Sequence, residues 1–489
     1  MVKWNLLCLR TTIGGILSIK NHLILQTRRF IPPVYLLVVL EKFMKKRVIE
    51  KKIHKYHYHK KHHKTYQHVS LRRDLNLFQA TLAGIGVMVG AGIYALIGAA
   101  SGLAGNAIWI SFLIGSIVAV FTGLSYAELS SLFPKDAGEY IYSEHSFGKK
   151  IAFFTAYYVI IGAIISAAAV SIGFASYLYN LVGFNVIFAA IGLIILLSLI
   201  NLTGIKESVT LNIILTILAV LGLFIIISFL PGHFGNINYL IMPHGLFGVF
   251  QGASLIFFAF IGFEAVVKLS EETKNPKKNI PLSLILSLVI TAVIYILVAI
   301  SAISVLGWEK LSVSKAPLAE VAAVAFGEKA FLILAIIALL STSGTVLVIL
   351  LTTSRMIYGM GHEFKSKLLT KISQKTRTPY AAILTTMLLS ILFVFLKDIK
   401  TVASITNFTV FTTFIIVNLS VIVLRYKEPN IKRTFKVPLN IGKFPVLALL
   451  GILTCLFMII SIDLIAIIWS IGLLILGFII YEVIRFTDK

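Results

Sequence analysis

Residues 85–94, IGVMVGAGIY, decide how the rest of the chain is read. They lie inside an apolar segment running from about residue 75 to residue 100, long enough to cross a bilayer as a helix at roughly 20 residues per crossing. Yet the segment carries Gly84, Gly86, Gly90 and Gly92, and each glycine costs a helix interior about 1 kcal/mol relative to alanine. A backbone amide freed in lipid costs more still unless protein or ligand satisfies it. Two readings stand side by side. Gly86 and Gly90 form a GxxxG pair that serves close helix packing, or the helix breaks and lines a cavity. In the second reading the amides of Gly90, Ala91, Gly92 and Ile93 open a new half-helix, whose partial positive charge suits a carboxylate. A second break elsewhere in the chain would favour the cavity.

The surrounding composition excludes a soluble globular protein. Of 489 residues, 58% are apolar and only 13% charged, the signature of a polytopic membrane protein. The net charge of +24 is concentrated, because 17 of the 44 Lys and Arg fall in residues 1–73 against two acids. That segment, with His54, His57, His59, His62, His63 and His68, reads as a basic His/Lys-rich cytoplasmic tail, partly disordered. Attraction to anionic lipid, about 1 kcal/mol per basic residue, and metal capture are the functional alternatives. Its apolar pieces, around 6–19 and 34–40, are too short to span, and Arg10 interrupts any signal-peptide core. Met44 offers an alternative start, which would leave residues 1–43 outside the working protein. Two cysteines, Cys8 and Cys455, allow no disulfide framework.

After Arg73 the apolar pattern predicts twelve spans, at about 75–100, 107–131, 151–179, 185–203, 209–230, 249–270, 282–306, 330–357, 380–396, 401–424, 445–462 and 464–484. With the tail in the cytoplasm, only Lys310, Lys315, Lys329, Lys397 and Lys400 of the remaining basic residues fall outside. This positive-inside bias supports the even count, cytoplasmic N- and C-termini and a multi-pass protein of the cell membrane. The sixth span, LIFFAFIGFEAVVKLS at 255–270, holds Gly262 and an intramembrane acid, Glu264, a functional candidate by its position. Breaks in spans one and six divide the fold into a first repeat at 74–230 (helices 1–5), a second at 249–424 (helices 6–10) and a terminal pair at 445–484 (helices 11–12). The fold class is then all-α, with a 5+5 inverted-repeat core and a midplane site between two discontinuous helices.

Four ordered motifs carry a resemblance: GIGVMVGAGIY at 84–94, YAELSSLFPKDAGEYIY at 126–142, FFAFIGFEAV at 257–266 and EETKNPKKNIP at 271–281. Across roughly residues 74–484 the chain resembles the amino acid, polyamine and organocation (APC) permeases. The resemblance implies a LeuT-like transporter whose substrate carboxylate is held by the amides of Gly90, Ala91 and Gly92. Carbonyls near Val87 and Met88, and around Phe257, Phe258 and Ala259, would accept from the ammonium, beside Ile93 and Gly262. Phe258 matches an aromatic gate and Glu264 an acid beneath the site. The physics agrees, since a zwitterion needs donors and acceptors and two facing broken helices supply both without a fixed charge. The duller readings are a core Phe258 and a structural Glu264. Glu128 and Glu139 read as solvated or loop-bracing, and Asn275, Pro276 and Pro281 as the hinge and cap of a loop.

One departure bears on coupling. Some proton-coupled relatives carry a span-five lysine where this chain has Ala219, so that mechanism does not transfer. Ser341, Thr342, Ser343 and Thr345 in span eight are candidates for a cation site, against the reading that they bond back to their own helix. No cofactor, metal site or nucleic-acid partner is expected, and the coupling ion, H+ or Na+, stays open. The function read is a permease for a small amino acid substrate in the lipid bilayer. An amino-acid or polyamine exchanger or a nutrient sensor of the same fold is the alternative. A multipass enzyme is disfavoured by the absence of HExxH, GxSxG and GxxxxGK[ST] motifs. On this reading Gly92→Val abolishes uptake while folding survives, Ala91→Ser is mild, and residues 1–70 are dispensable.

Overall fold

The computed structural model describes residues 75–133, 138–203, 205–270, 273–363, 366, 368–374 and 376–487. The expected tail at 1–73, with its histidines, lies outside the described residues. Helices follow one another as α1 Leu77–Met88, α2 Ala91–Ala104, α3 Ile108–Leu132, α4 Gly138–Phe147, α5 Lys149–Val182, α6 Val186–Thr203, α7 Ile205–Ser228 and α8 Leu230–His233. They continue as α9 Gly245–Ile256, α10 Pro276–Val313, α11 Pro317–Phe326, α12 Glu328–Glu363, α13 Tyr380–Val394, α14 Ile399–Lys427, α15 Val446–Ile460 and α16 Leu464–Thr487. Between α9 and α10 lie two 3-10 segments, Phe257–Phe260 and Phe263–Leu269. The all-α expectation needs one small correction, a two-residue antiparallel pair of β1 Asn440–Ile441 with β2 Phe444–Pro445.

Among the described residues nine helical stretches have the length and apolarity to cross a membrane, and Tyr380–Val394 and Val446–Ile460 are shorter apolar helices. The chain is therefore a multi-pass membrane protein, and apolar side chains such as Leu221, Phe224, Leu392 and Ile468 cover its exposed flanks. Local chemistry sets the helix ends. α1 begins in a capping box, with Asn76 Oδ1 accepting from the Gln79 amide at 2.9 Å and Gln79 Oε1 from the Asn76 amide at 3.0 Å. α10 begins earlier than expected. Asn275 in the left-handed region caps it, Pro276 opens it and Pro281 lies within it, buried, so the proline pair belongs to the helix instead of a loop.

Two groups of helices enclose the interior. α5 packs against α12 and α14, and α10 packs against α1, α2 and α3. A buried ion cluster ties α3 to the far end of the chain. Glu128 accepts from Arg425 at 3.0 and 2.5 Å, from Arg433 Nε at 3.1 Å and from the Val437 amide at 2.8 Å. Its side chain is 1% exposed. The solvated reading of Glu128 is wrong and the bracing one holds, because four donors replace the water lost on burial. Asn440 completes the cluster by accepting from Arg425.

Candidate functional site

Both expected breaks are present, the first at Val89 and Gly90 and the second at Ile261 and Gly262. α1 ends at Met88, Val89 is extended (φ −73°, ψ 92°), Gly90 is non-helical (φ −156°, ψ −143°), and α2 starts at Ala91. Gly92 is thus already helical. In the sixth span α9 loosens into 3-10 geometry at Phe257, Ile261 is extended, and Gly262 turns left-handed at φ 113° before the second 3-10 segment. The two breaks touch. A Cβ on Gly92 would run into the backbone of Ala259, and one on Gly262 would come within 2.6 Å of Val87 Cγ1. The GxxxG reading holds as well, since Gly86 lies against Thr216 of α7 and Gly90 against Thr345 of α12.

Freed backbone groups find partners from neighbouring helices, as lipid requires. The Tyr295 hydroxyl on α10 donates to Met88 O at 2.7 Å and Ala259 O at 3.1 Å, joining the two breaks. Asn407 on α14 donates to Ser254 O and Leu255 O at 2.7 and 3.0 Å where α9 loosens. The Gly262 amide donates to Glu264 Oε2 at 3.0 Å. By contrast, no side chain caps the first turn of α2. Its leading amides, without intrahelical acceptors, face the break.

A cavity of about 120 Å³ opens at this junction. Of the nominated residues it is lined by Val87, Met88, Gly90, Gly92, Phe258, Gly262, Glu264 and Thr345. Ile93, Phe257 and Ala259 are buried away from it, Phe257 packing on Phe260, Phe411 and Phe414. The remaining walls come from α5 (Tyr158, Gly162, Ser166), α12 (Val348, Thr352, Met356) and α14 (Thr406, Val410, Thr413).

A family model described as amino acid permease matches residues 75–482. The chain belongs to the amino acid permease family. The branched-chain amino acid permease BcaP of Bacillus subtilis is 31% identical over 442 residues, spanning 84% of this chain and 93% of that relative. The methylthioribose transporter of the same organism is 31% identical over 394 residues, 76% of this chain and 85% of its own. The human cationic amino acid transporter 4 is 28% identical over 392 residues, 74% of this chain and 61% of its own. The permease is accordingly a transporter and not an enzyme.

Within the permease the candidate cation hydroxyls divide. Thr342 and Ser343 bond back to Ala338 O and Leu339 O, and Thr345 to Ser341 O, the behaviour expected of hydroxyls in apolar helices. Ser341 Oγ is buried with no hydrogen-bond partner. Ala219 is fully buried and its carbonyl accepts from Tyr94 at 2.6 Å. Glu139, expected to be solvated or to brace a loop, is 5% exposed, lines the cavity and accepts from Tyr126 at 3.3 Å. The sequence reading missed Tyr295, Asn407 and Lys268. A phenol or amide alone in an apolar span must find a backbone partner, and that signal would have found the first two. Lys268 falls inside the sixth span read from sequence, where it received no role, and it lines the cavity.

Proposed function

We propose that the permease is a secondary active transporter moving amino acids by alternating access, with twelve spans arranged as a 5+5 inverted repeat followed by two helices. The substrate carboxylate is held by the amides of Gly90, Ala91 and Gly92 at the start of α2. Its ammonium is held by carbonyls at the breaks. One observation carries this reading: the first break leaves its half-helix uncapped, whereas the second spends its Gly262 amide on Glu264. Only the segment after the second break carries an acid, Glu264, in its first turn, so an anion is favoured at the first break and opposed at the second, which suits a zwitterion. Met88 O and Ala259 O already accept from Tyr295, and Phe258 O from the Ile261 amide at 3.4 Å, which favours Val87 O for the ammonium. Phe258 closes over the substrate.

The names of relatives make branched-chain amino acids the first substrates to test. The coupling ion is a proton or sodium: Ser341 offers an unpartnered buried oxygen for sodium, and no span-five lysine stands at Ala219. The site lies in the cell membrane with both termini cytoplasmic. Purified protein in liposomes is given labelled leucine, isoleucine, valine and a wider amino acid panel under imposed Na+ or H+ gradients. Accumulation is expected for at least one of them, driven by one gradient. Tight binding without accumulation under either gradient would replace transport by sensing.

A further inference from the structure

The cavity does not end at the two breaks. Along α12 its lining runs from Thr345 to Met356, about 16 Å at 1.5 Å per helical residue, so it continues for roughly three turns past the amides of α2. Three charged side chains line its other end: Glu139, Glu264 and Lys268. Glu139 and Lys268 both act electrostatically on Glu264. Even so, among the described residues no ion pair joins Lys268 to either acid. Among the described residues its ammonium reaches only the thioether of Met356, at 3.9 Å, and sulfur is a weak acceptor. Glu264 uses one carboxylate oxygen on the Gly262 amide, and Glu139 accepts a single long bond from Tyr126.

Charges held out of water are costly until a partner of opposite sign arrives. Here both signs border one space and do not satisfy each other. A simple cation would serve the acids and leave Lys268 unpaired; a simple anion would do the reverse. A zwitterion supplies both missing partners at once. We propose that this end of the cavity is a second, transient binding site for the zwitterionic substrate, in which Lys268 takes the α-carboxylate and Glu264 with Glu139 takes the α-ammonium. The inference rests on the reading that the cargo is an amino acid. It makes the cavity a two-station path, with a backbone site at the breaks and a side-chain site that the same molecule occupies after leaving it. The single cavity holds one substrate at a time, so the second station acts on the rate of passage, whereas equilibrium affinity belongs to the first.

The test uses the full chain in liposomes with tritiated L-leucine, or whichever amino acid the wild type accumulates best. Lys268→Cys should slow initial uptake about tenfold, the scale of one charge-assisted hydrogen bond lost along the path, with equilibrium affinity in detergent unchanged. Treating that variant with 2-aminoethyl methanethiosulfonate returns an ammonium to the position and should restore uptake. The neutral methyl methanethiosulfonate should not. Reagent-treated wild type controls for Cys8 and Cys455. Uptake by Lys268→Cys at the wild-type rate overturns the second station. So does equal rescue by both reagents, or rescue by neither, since each makes Lys268 a packing residue. A wild type that accumulates no amino acid overturns the transport reading itself, and that result is seen before any variant is made.

Discussion

The two broken spans solve one problem in opposite ways. In the first, two α-helices stop short of each other across Val89 and Gly90, and the new helix start is left without a side-chain cap. In the second, the α-helix loosens into 3-10 geometry on both sides of Gly262, and the glutamate two residues later takes up the Gly262 amide. A carboxylate in the first turn of a helical segment is favourable there, and Glu264 holds that place in the second break. Glu264 therefore closes the second break to anions, and the first stays open to them. The comparison teaches that a pair of similar breaks acquires polarity from one side chain.

The largest effect is expected at the contact between the breaks. Gly92→Val should abolish uptake, and its Cβ would enter the Ala259 backbone, so thermal stability should also fall by about 1–3 kcal/mol, as overpacking does. This revises the expectation from sequence alone that folding would survive. A variant with wild-type melting and uptake would show that the breaks do not meet.

Next, the backbone at each break is distinguished by paired alanine variants. Gly262→Ala meets a left-handed φ of 113° and Val87, a strain of about 1–2 kcal/mol that no neighbouring substitution relieves. Gly90 has a negative φ, and the neighbour that a Cβ there would meet is Thr345. Uptake by Gly90→Ala should recover in part when Thr345→Ala is added, and that of Gly262→Ala should not. Equal rescue of both would erase the contrast.

Tyr295→Phe removes the donor shared by Met88 O and Ala259 O. Two buried carbonyls lose a partner, at a cost of about 1–3 kcal/mol, readable as a lowered melting temperature together with slower uptake. An unchanged melt would mean that the phenol does not join the breaks. Glu264→Gln is milder, because its amide oxygen can still accept from Gly262. Affinity should hold while the pH profile of uptake changes shape, and superimposable profiles would make Glu264 a cap alone. The smallest effect is expected from deleting residues 1–70, which should leave affinity and uptake as they were in vesicles.

How much of this was legible follows from sequence distance. Glycines inside apolar runs and an acid in the middle of one are local signals, and they located both breaks to within about two residues. The phenol of Tyr295 bonds a carbonyl 207 positions away, and Arg425 reaches Glu128 across 297. Nothing in either neighbourhood names the partner. Lys268 was passed over for a related reason: it stands one residue before the end of its 3-10 segment, and nothing in its neighbourhood shows that it shares a cavity with Glu139.

By itself the sequence determined that this chain lies in a membrane and marked two apolar segments as candidates for a break, since apolar length and the cost of glycine are properties of a segment. Only the tertiary structure decided that the breaks touch, that Tyr295 and Asn407 satisfy them, and that Glu139, Glu264 and Lys268 share one cavity. Those outcomes depend on which distant surfaces pack together. In a low-dielectric interior it is the packed neighbour that supplies or withholds the partner each polar group needs.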